Sequence, residues 1–470
     1  MKQDLHRHLE PHDQTHLLAH WDDLAAHEQQ HLANQIREID FPLVSRLHHG
    51  GGSAADCADL IQRAEAPPAY RLNGEGRTCS IEEVRKRGEA AIAAGKVGAI
   101  LVAGGQGTRL GFDHPKGMFP IGPISGASLF QIMFEKVIAL SRRHGVRIPL
   151  YVMTSPATHE ETVEHLRSQN NFGMPAEDVR IFCQGTMPAI DMHSGKLLLE
   201  EKGRIFKSPD GHGGTLAALV KSGSLIDAKR RGIEQFYYCQ IDNPLVSMCD
   251  PEFLGYHLLS GAEVSTQVVA KRGLRDKVGN VVVVDGQLQV IEYSELNPFP
   301  DDVIARKTPD GKPIFWAGNI AVHVFDRKFL ERVSDQADGL PFHIANKAVP
   351  HVDHHGNLVE PEKPNAIKFE RFIFDLLPAA RHGIVVEVDE AKTFAPLKNA
   401  STEKTDTKET VQAARMAVER EWLRAAGIEV ADNVTIEISP LFALDAEDIK
   451  KQSAKLPKRI NQSTYLSPVP

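Results

Sequence analysis

The sequence predicts an α/β fold built on a mixed, mostly parallel central sheet with helices on both faces. Short apolar runs at 97–102, 148–154 and 179–183 have the composition of strands that are buried on both faces. Helical patterns at 128–141 and 159–169 alternate with these runs. This alternation is typical of an open parallel sheet, which binds ligands at the carboxyl ends of its strands.

Composition limits the class of protein. A chain of 470 residues with a net charge of −8 predicts one large domain plus smaller ones and argues against a general nucleic-acid binder. No apolar run reaches about eighteen residues, and the N-terminus lacks a charged-then-apolar export pattern. The five cysteines show no CxxC spacing, which favours free thiols in a reducing compartment. We therefore expect a cytoplasmic protein with no membrane or nucleic-acid partner.

The N-terminal region, residues 1–94, is predicted to be helical. Apolar residues recur at three- and four-residue steps up to about residue 65, the glycines at 50–52 predict a helix break, and Ser80 predicts the N-cap of a further helix that runs to about Gly95. Histidines also recur every four residues at His8, His12, His16 and His20. Histidines at this spacing can share a metal, but no carboxylate or cysteine completes a ligand set, so we interpret them as surface side chains.

The loop after the first strand carries the strongest functional signal. Its glycines stand at 104, 105, 107 and 111, where they allow the backbone to approach a ligand and turn successive N–H groups toward an anion. Arg109 and Lys116 add two cations to the same loop. Together with Val102 and Ala103, which lead into the loop, these residues predict a phosphate-binding site.

The spacing of this loop excludes two commoner phosphate sites. A dinucleotide fingerprint reads GxGxxG and needs an acidic residue about twenty positions further on, whereas residues 105–111 read GxGxxxG. A Walker A loop ends in Gly-Lys-Ser or Gly-Lys-Thr, whereas Lys116 is followed by Gly117 and Met118. A nicotinamide-dependent dehydrogenase would in addition have no use for Arg109 and Lys116.

Three later segments also predict ligand contacts. Asp242 follows a predicted strand at 236–241, where a carboxylate is well placed to hold Mg²⁺ between phosphates. Gly211 belongs to a second glycine cluster, which would either form a tight turn or let the backbone approach a flat base. Asn319 is predicted to lie where another strand ends, with an amide that could contact a sugar.

The motifs resemble those of a known family. The strings AGGQGTRLG (103–111), PKGMFPIG (115–122) and SLFQIMFEKV (128–137) are similar to eukaryotic-type UDP-N-acetylhexosamine pyrophosphorylases, which belong to the sugar-nucleotide pyrophosphorylases (nucleotidyltransferases). The resemblance covers residues 95–445 at ordered motifs. It implies a Rossmann-like, GT-A-like nucleotidyltransferase domain at 95–395, preceded by the helical region and followed by a small C-terminal domain at 396–470.

The resemblance also implies an activity and its residues. The chain is expected to transfer UMP from UTP to a sugar-1-phosphate, most simply N-acetylglucosamine-1-phosphate, with Mg²⁺ on Asp242. Alternatives are a broader UDP-sugar or UDP-glucose pyrophosphorylase and a non-catalytic UDP-sugar sensor. Catalysis falls to Arg109, Lys116 and Lys398, and nucleotide binding to Val102, Ala103, Gly104, Gly105, Gln184, Gly211, His212, Asp242 and Lys368. Sugar binding falls to Gly279, Glu292, Tyr293, Asn319, Phe372 and Phe374.

His212 departs from the family pattern, which usually has asparagine at this position. Both side chains donate hydrogen bonds, so the departure changes detail rather than class. Because histidine can become charged near neutral pH, it also predicts a pH-dependent step at this site.

Overall fold

The computed structural model describes residues 1–50, 54–335 and 340–468 of the chain. Its α-helices are α1 (Lys2–Leu9), α2 (Ala26–Glu38), α3 (Phe41–Gly50), α4 (Ala54–Arg63), α5 (Ile81–Ala93), α6 (Leu129–His144), α7 (His159–Ser168), α8 (Thr215–Lys221), α9 (Ser224–Arg230), α10 (Pro251–Ser260), α11 (Tyr293–Leu296), α12 (Asp301–Ile304), α13 (Arg327–Ser334), α14 (Glu390–Thr393), α15 (Lys408–Ala425) and α16 (Ala446–Gln452).

The strands are β1 (Ala69–Tyr70), β2 (Val97–Val102), β3 (Leu150–Thr154), β4 (Val179–Cys183), β5 (Thr186–Pro188), β6 (Ile190–Asp191), β7 (Leu199–Glu201), β8 (Arg204–Ile205), β9 (Lys207–Pro209), β10 (Gln235–Gln240), β11 (Val264–Ala270), β12 (Gly279–Val284), β13 (Gln287–Ile291), β14 (Ala317–Asp326), β15 (His343–Lys347), β16 (His351–Val352), β17 (Leu358–Val359), β18 (Ala366–Glu370), β19 (Gly383–Glu387), β20 (Glu429–Val430), β21 (Ile436–Ile438), β22 (Arg459–Ile460) and β23 (Thr464–Leu466).

These elements form two compact units. The first comprises Met1–Gln62, Gln184–Gly214 and Asp338–Asp375, and the second comprises Arg63–Cys183, Thr215–Ala337 and Leu376–Pro470. The division follows packing in space, whereas the boundaries at residues 94 and 395 were inferred along the chain and remain a prediction.

The second unit is organised around one large sheet. Its strands run in the order β1-β19-β11-β14-β10-β2-β3-β4, and the hairpin of β12 and β13 joins through β14. Neighbours along this order are parallel except at β14, which is antiparallel to both β10 and β11. This arrangement confirms the predicted mixed, mostly parallel sheet. In the register of β2 and β10, Val102 lies opposite Gln240, so the two following loops leave the same edge.

Local sequence explains where the elements of this unit begin. All six residues of β2 are buried, as its continuous apolar run predicts. Helix α5 starts with a capping box: Ser80 Oγ accepts from the Glu83 backbone N–H at 3.2 Å, and the Ser80 N–H donates to the Glu83 carboxylate at 2.9 Å. The helix predicted from Ser80 is thereby confirmed.

The C-terminal segments belong to the second unit. Helices α15 and α16 pack with the short strands β20–β23 around a small apolar core that includes Leu423 and Ile436. The carboxylate of Glu437, which is 2% exposed, accepts from the backbone N–H groups of Ile124 and Ser125 at 2.8 and 2.7 Å. The C-terminal region is therefore hydrogen-bonded to the loop that follows the glycine-rich segment.

The first unit combines the N-terminal helices with three small sheets. The sheets have the orders β15-β18-β6, β17-β16-β7-β8 and β5-β9. Residues of α1–α3 and of strands β6, β7, β8 and β18 share one apolar core. The helices predicted up to about residue 65 are thus confirmed, although residues 51 and 52 of the predicted helix break lie outside the described residues.

The predicted surface histidines of this unit make structural contacts. The His12 ring stacks on Phe41 with centroids 5.0 Å apart, and His16 Nε2 lies 2.8 Å from the carbonyl oxygen of Leu197. Within 1–50, 54–335 and 340–468 no cluster of three metal-ligating side chains occurs. In the same ranges no helix is long and apolar enough to cross a membrane. Cys79, Cys239 and Cys249 are free thiols, and the side chain of Cys57 lies outside the described part.

Candidate active site

The glycine-rich loop after β2 closes on itself through its own backbone. The N–H of Lys116 donates to the carbonyl of Gly105 at 2.9 Å, and the N–H of Gly107 donates to that of His114 at 2.9 Å. Ser155 Oγ donates to the Gly104 carbonyl at 2.7 Å. At Gly105 a Cβ would meet no protein atom within 4 Å, so this stretch of backbone is open to a ligand. Val102 and Ala103 are buried beneath it.

The predicted cations and the predicted metal carboxylate come together around this loop. Burial lowers the pKa of the Lys116 ammonium, the carboxylate of Asp242 raises it, and the charges of Lys398 and Arg109 lower it further. Lys116 Nζ also donates to the carbonyl oxygen of Leu397 at 3.3 Å. The structure therefore gathers in one place four residues that lie up to about 290 positions apart in the chain.

Backbone and amide hydrogen bonds join the loops that carry Asp242 and Lys398. The N–H of Leu397 donates to the Asp242 carbonyl at 2.8 Å. The side chain of Asn243 donates to the Thr393 carbonyl at 2.8 Å and accepts from the Ala395 N–H at 3.1 Å. These contacts fix the carboxylate and the lysine relative to each other.

Asp406 is a site residue that the sequence analysis missed. Its carbonyl accepts from the N–H groups of Lys398 and Asn399 at 2.8 and 3.0 Å. Burial raises the pKa of its carboxyl group, Lys398 lowers it, and the charge of Asp242 raises it again. A second carboxyl group therefore lies near Asp242. The sequence offered no signal for it, because residues 401–406 read as an ordinary polar link.

These carboxylates fit Mg²⁺ better than a metal that needs a complete protein cage. Mg²⁺ is held by one or two carboxylates plus phosphate oxygens and water. Asp242, with Asp406 nearby, supplies one or two carboxylates. The side chains of Lys116, Lys398 and Arg109 lie close enough to Asp242 to bind the phosphates that would complete the coordination.

Two of the predicted sugar-binding residues, Gly279 and Asn319, lie on β12 and β14, and a third, Glu292, directly follows β13. Gly279 pairs with Asn319 across the sheet. A Cβ at Gly279 would lie 2.6 Å from Glu292 Oε1, so a side chain at this position would displace the carboxylate. Tyr293 follows directly, at the start of α11, and is 37% exposed. One detail was wrong: Asn319 lies near the beginning of a ten-residue strand, Ala317–Asp326, rather than at the end of one.

In the first unit, backbone hydrogen bonds join the loop after Gln184 to the loop of Asp210, and join the Asp210 loop to the segment of Arg371. The N–H of Asp210 donates to the Gly185 carbonyl at 3.1 Å, next to the buried Gln184. The N–H of Arg371 donates to the Asp210 carbonyl at 2.7 Å, and that of Gly213 to the Arg371 carbonyl at 2.8 Å.

Gly211 is required sterically in this arrangement. It has a φ of +82°, and a Cβ there would lie 2.4 Å from the carbonyl oxygen of Arg371. Glycine tolerates both conditions. Gly211 therefore brings the second glycine cluster into close contact with the segment that carries Phe372 and Phe374.

His212 lies against the predicted aromatic residues. Its ring centroid is 5.3 Å from that of Phe372 and 5.7 Å from that of Phe374, and these two rings stack 4.9 Å apart. Phe374 is buried near the start of a 3₁₀ helix, Ile373–Ala379. The Ile373 N–H donates to His212 Nδ1 at 3.1 Å, which leaves Nε2 as the protonated nitrogen of the neutral ring.

The expected charge change of His212 near neutral pH is wrong. Burial, and to a smaller extent the nearby charge of His343, lower the pKa of its imidazole to about 4. His212 is therefore neutral at physiological pH and acts as a hydrogen-bond donor, as the usual asparagine would.

Two more residues of this unit escaped the sequence analysis. Asp210 and Arg371 interact electrostatically, and burial raises the pKa of the first and lowers that of the second. Among the residues that the structure describes, the buried Oδ1 of Asp210 has no hydrogen-bond partner. Lys368 lies on β18, where its Nζ is 4.8 Å from the centre of the Phe206 ring, and burial lowers its pKa.

Comparisons with known proteins agree with this geometry. The profile of the UTP–glucose-1-phosphate uridylyltransferase family matches residues 69–461. The human UDP-N-acetylhexosamine pyrophosphorylase-like protein 1 is 37% identical, with 92% of this chain and 87% of that protein covered. The UDP-N-acetylglucosamine pyrophosphorylase of Saccharomyces cerevisiae is 34% identical, with 94% and 95% covered.

A solved structure shows the same fold. The crystal structure titled putative UDP-N-acetylglucosamine pyrophosphorylase from Entamoeba histolytica superposes with a TM-score of 0.75 at 32% identity, and covers 83% of this chain and 98% of that one.

Proposed function

The chain belongs to the UTP–glucose-1-phosphate uridylyltransferase family, and we propose that it transfers UMP from UTP to a sugar-1-phosphate, giving a UDP-sugar and pyrophosphate. N-acetylglucosamine-1-phosphate is the acceptor that the name of the Saccharomyces cerevisiae relative favours, and the name of the human relative is consistent with an N-acetylhexosamine phosphate. The observation that carries the proposal is the meeting of Arg109, Lys116, Asp242 and Lys398 at the glycine-rich loop.

The reaction needs no covalent enzyme nucleophile. The sugar phosphate is already an anion, so its oxygen can attack the α-phosphorus of UTP while pyrophosphate leaves. Catalysis then consists of holding both reactants in line and neutralising the charge that develops on the phosphates.

The cations divide this work between them. Arg109, exposed on the loop, would hold the leaving pyrophosphate, and Lys116 would hold the phosphoryl group that is transferred. Lys398 would bind the sugar phosphate, and Lys368 would add charge near the nucleotide. Mg²⁺ held by Asp242 would supply further charge neutralisation and orient the phosphates. Because burial already lowers the pKa of Lys116, a bound phosphate would stabilise its charged form.

Recognition of the two organic groups falls to other residues. Gln184, Gly211 and the Nε2–H of His212 would contact uracil, because amide and imidazole groups match the donors and acceptors of an imide edge. Glu292 and Asn319 would bind sugar hydroxyl or N-acetyl groups beside Gly279 and Tyr293, and Phe372 and Phe374 would form an aromatic wall beside the sugar. The proposed partners are these small-molecule substrates. We also propose that the protein acts in the cytoplasm.

The test is the release of pyrophosphate from UTP and Mg²⁺, with N-acetylglucosamine-1-phosphate and glucose-1-phosphate offered in parallel. Release with the first acceptor alone supports the narrow specificity. The matched variant is Lys116→Ala, which removes the loop cation and should release little pyrophosphate with either acceptor. If neither acceptor gives pyrophosphate release but a UDP-sugar still binds, the proposed enzymatic activity is wrong. The chain would then be a non-catalytic UDP-sugar sensor with the same fold.

One alternative has its own support. The name of the matching family specifies glucose-1-phosphate as the sugar phosphate, which favours a broader UDP-sugar or UDP-glucose pyrophosphorylase. Comparable kcat/KM for the two acceptors in the same assay would select it.

A further inference from the structure

The backbone turn after Asp242 is held by a lysine that the sequence analysis did not single out. Lys136 lies on α6, and its Nζ donates to the carbonyl oxygens of Pro244 and Val246 at 2.6 and 2.7 Å. Both acceptor residues are buried, so water is a poor substitute for the lysine. Lys136 therefore fixes the backbone two and four residues after the carboxylate that we propose as the Mg²⁺ ligand.

This contact has a cost that packing alone does not explain. Burial of the Lys136 ammonium lowers its pKa to about 7, the charge of Arg415 acts in the same direction, and Cys239 and Glu419 act in the opposite one. Within the described ranges no carboxylate forms an ion pair with Lys136. A buried amine without an ionic partner is costly, whereas an apolar side chain would pack there without that cost. Both the ammonium and the neutral amine have at least two N–H donors, so the two contacts do not depend on which form is present.

The helix that carries Lys136 also anchors the glycine-rich loop. α6 begins at Leu129, whose N–H donates to the Phe119 carbonyl at 3.1 Å, and the Phe119 N–H donates to the Lys116 carbonyl at 3.0 Å. The same helix thus contacts the loop of Lys116 at its first residue and the turn of Asp242 about two helical turns later. Because the Lys116 ammonium and the Asp242 carboxylate interact electrostatically, α6 is placed to set their separation.

We propose that Lys136 is a positioning residue, which holds the Asp242 carboxylate in place relative to the cations of the glycine-rich loop. The inference rests on the proposed function, because that function gives Asp242 its role. Lys136 acts through the backbone of the turn and not by contact with the phosphates. A misplacement of about 1 Å in a reacting group can lower a rate about 100-fold, so lost contacts two residues from Asp242 are close enough to affect turnover.

The first experiment compares Lys136→Met with the wild type in the pyrophosphate assay. Methionine is of similar length but cannot donate to the two carbonyls. We expect kcat to fall about 10- to 100-fold and the Mg²⁺ concentration at half-maximal rate to rise. KM for the sugar phosphate should change little, because Lys136 makes no contact with the residues proposed to bind the sugar.

The matched control is Arg231→Met. Arg231 donates through Nε to Asp227 at 2.8 Å and through Nη1 to Asp178 at 3.1 Å, close to where β4 begins and away from the glycine-rich loop. This variant should lower the unfolding temperature but keep the wild-type kcat and Mg²⁺ requirement. A loss of stability alone would then not account for the effect of Lys136→Met.

A binding measurement separates this proposal from the proposed activity. The dissociation constant of UTP is measured by calorimetry in Mg²⁺ and in EDTA, with no acceptor present. The wild type should bind UTP more tightly in Mg²⁺, and Lys136→Met should lose most of this gain while it binds UTP normally in EDTA. If the wild type and the variant differ in this way but the wild type releases no pyrophosphate, the activity is wrong and the positioning role is supported.

Lys136→Gln covers the case in which the methionine variant does not fold. Its amide keeps a donor, but the side chain is one atom shorter, so it should show the same changes in kcat and in the Mg²⁺-dependent gain. The proposal is overturned if a folded Lys136 variant keeps the wild-type kcat and the wild-type gain, or if Arg231→Met loses them to the same degree. A wild type that binds UTP equally well in Mg²⁺ and in EDTA would also overturn it.

Discussion

Lowering the pH from 7.5 to 5 should destabilise the first unit through His212. The unfolded chain binds a proton at this residue with a pKa of 6.5, whereas in the folded protein the pKa is about 4. A histidine whose folded pKa is depressed contributes full stability above 6.5, and the contribution is lost as the pH falls toward 4. Protonation of Nδ1 would break its hydrogen bond with the Ile373 N–H and place a second positive charge near His343, which itself pairs with Asp375 at 3.0 Å.

The size of the effect follows from these values. Between pH 7.5 and 5, the two pKa values give a loss of about 2 kcal/mol in the free energy of unfolding. Because His212 is partly exposed to solvent, water offsets some of the desolvation, and we expect about 1–2 kcal/mol.

The assay compares denaturant unfolding of the wild type and His212→Asn at both pH values. Asparagine can accept from the Ile373 N–H and donate as Nε2–H does, but it does not titrate. Fluorescence of Trp21, in a background with Trp316→Phe and Trp422→Phe, reports on the first unit alone. The variant should lose about 1–2 kcal/mol less than the wild type on acidification. Equal losses in both proteins would refute the lowered pKa of His212.

Three further changes test other parts of the structure. Lys116→Ala should lower kcat by about 10²–10³-fold if the ammonium acts as one preorganised donor, and an unchanged kcat in the pyrophosphate assay would contradict its role. Gly279→Ala should push away the Glu292 carboxylate, which would lie 2.6 Å from the new Cβ, and raise KM for the sugar phosphate more than for UTP; equal effects on both would argue against a sugar contact. Glu437→Gln should cost about 1–3 kcal/mol in the free energy of unfolding of the second unit, because one buried oxygen no longer accepts; a circular-dichroism melt unchanged from wild type would count against this.

The sequence predicted those parts of the site that depend on local pattern. The loop of Arg109 and Lys116 is continuous in the chain and follows a strand with a clear apolar run. Asp242 could be placed beside it because parallel strands bring their carboxyl ends to one edge of the sheet. Asn319, on a long antiparallel strand, was put at the wrong end because an apolar pattern does not give strand direction or length.

The remaining site residues depend on packing over long distances. Asp406 is drawn to the site by backbone hydrogen bonds with Lys398 and Asn399, and Arg371 by hydrogen bonds with the Asp210 loop. Neither contact leaves a pattern in the residues around it. The pKa of His212 was misjudged for a related reason: its solvation is set by Phe372 and Phe374, which lie 160 or more positions further along the chain.

The order of strands in the large sheet has a consequence for how the chain folds during its synthesis. β1 is among the first segments to leave the ribosome, yet its neighbour is β19, at Gly383–Glu387. The Ile124 N–H gains its hydrogen-bond acceptor later still, because the carboxylate of Glu437 is synthesised after β19. The second unit therefore cannot complete its hydrogen bonds until nearly the whole chain has been synthesised. We expect ribosome-bound chains that end before residue 437 to be sensitive to protease in the second unit. This sensitivity is expected even though the strands beside the glycine-rich loop have already been synthesised.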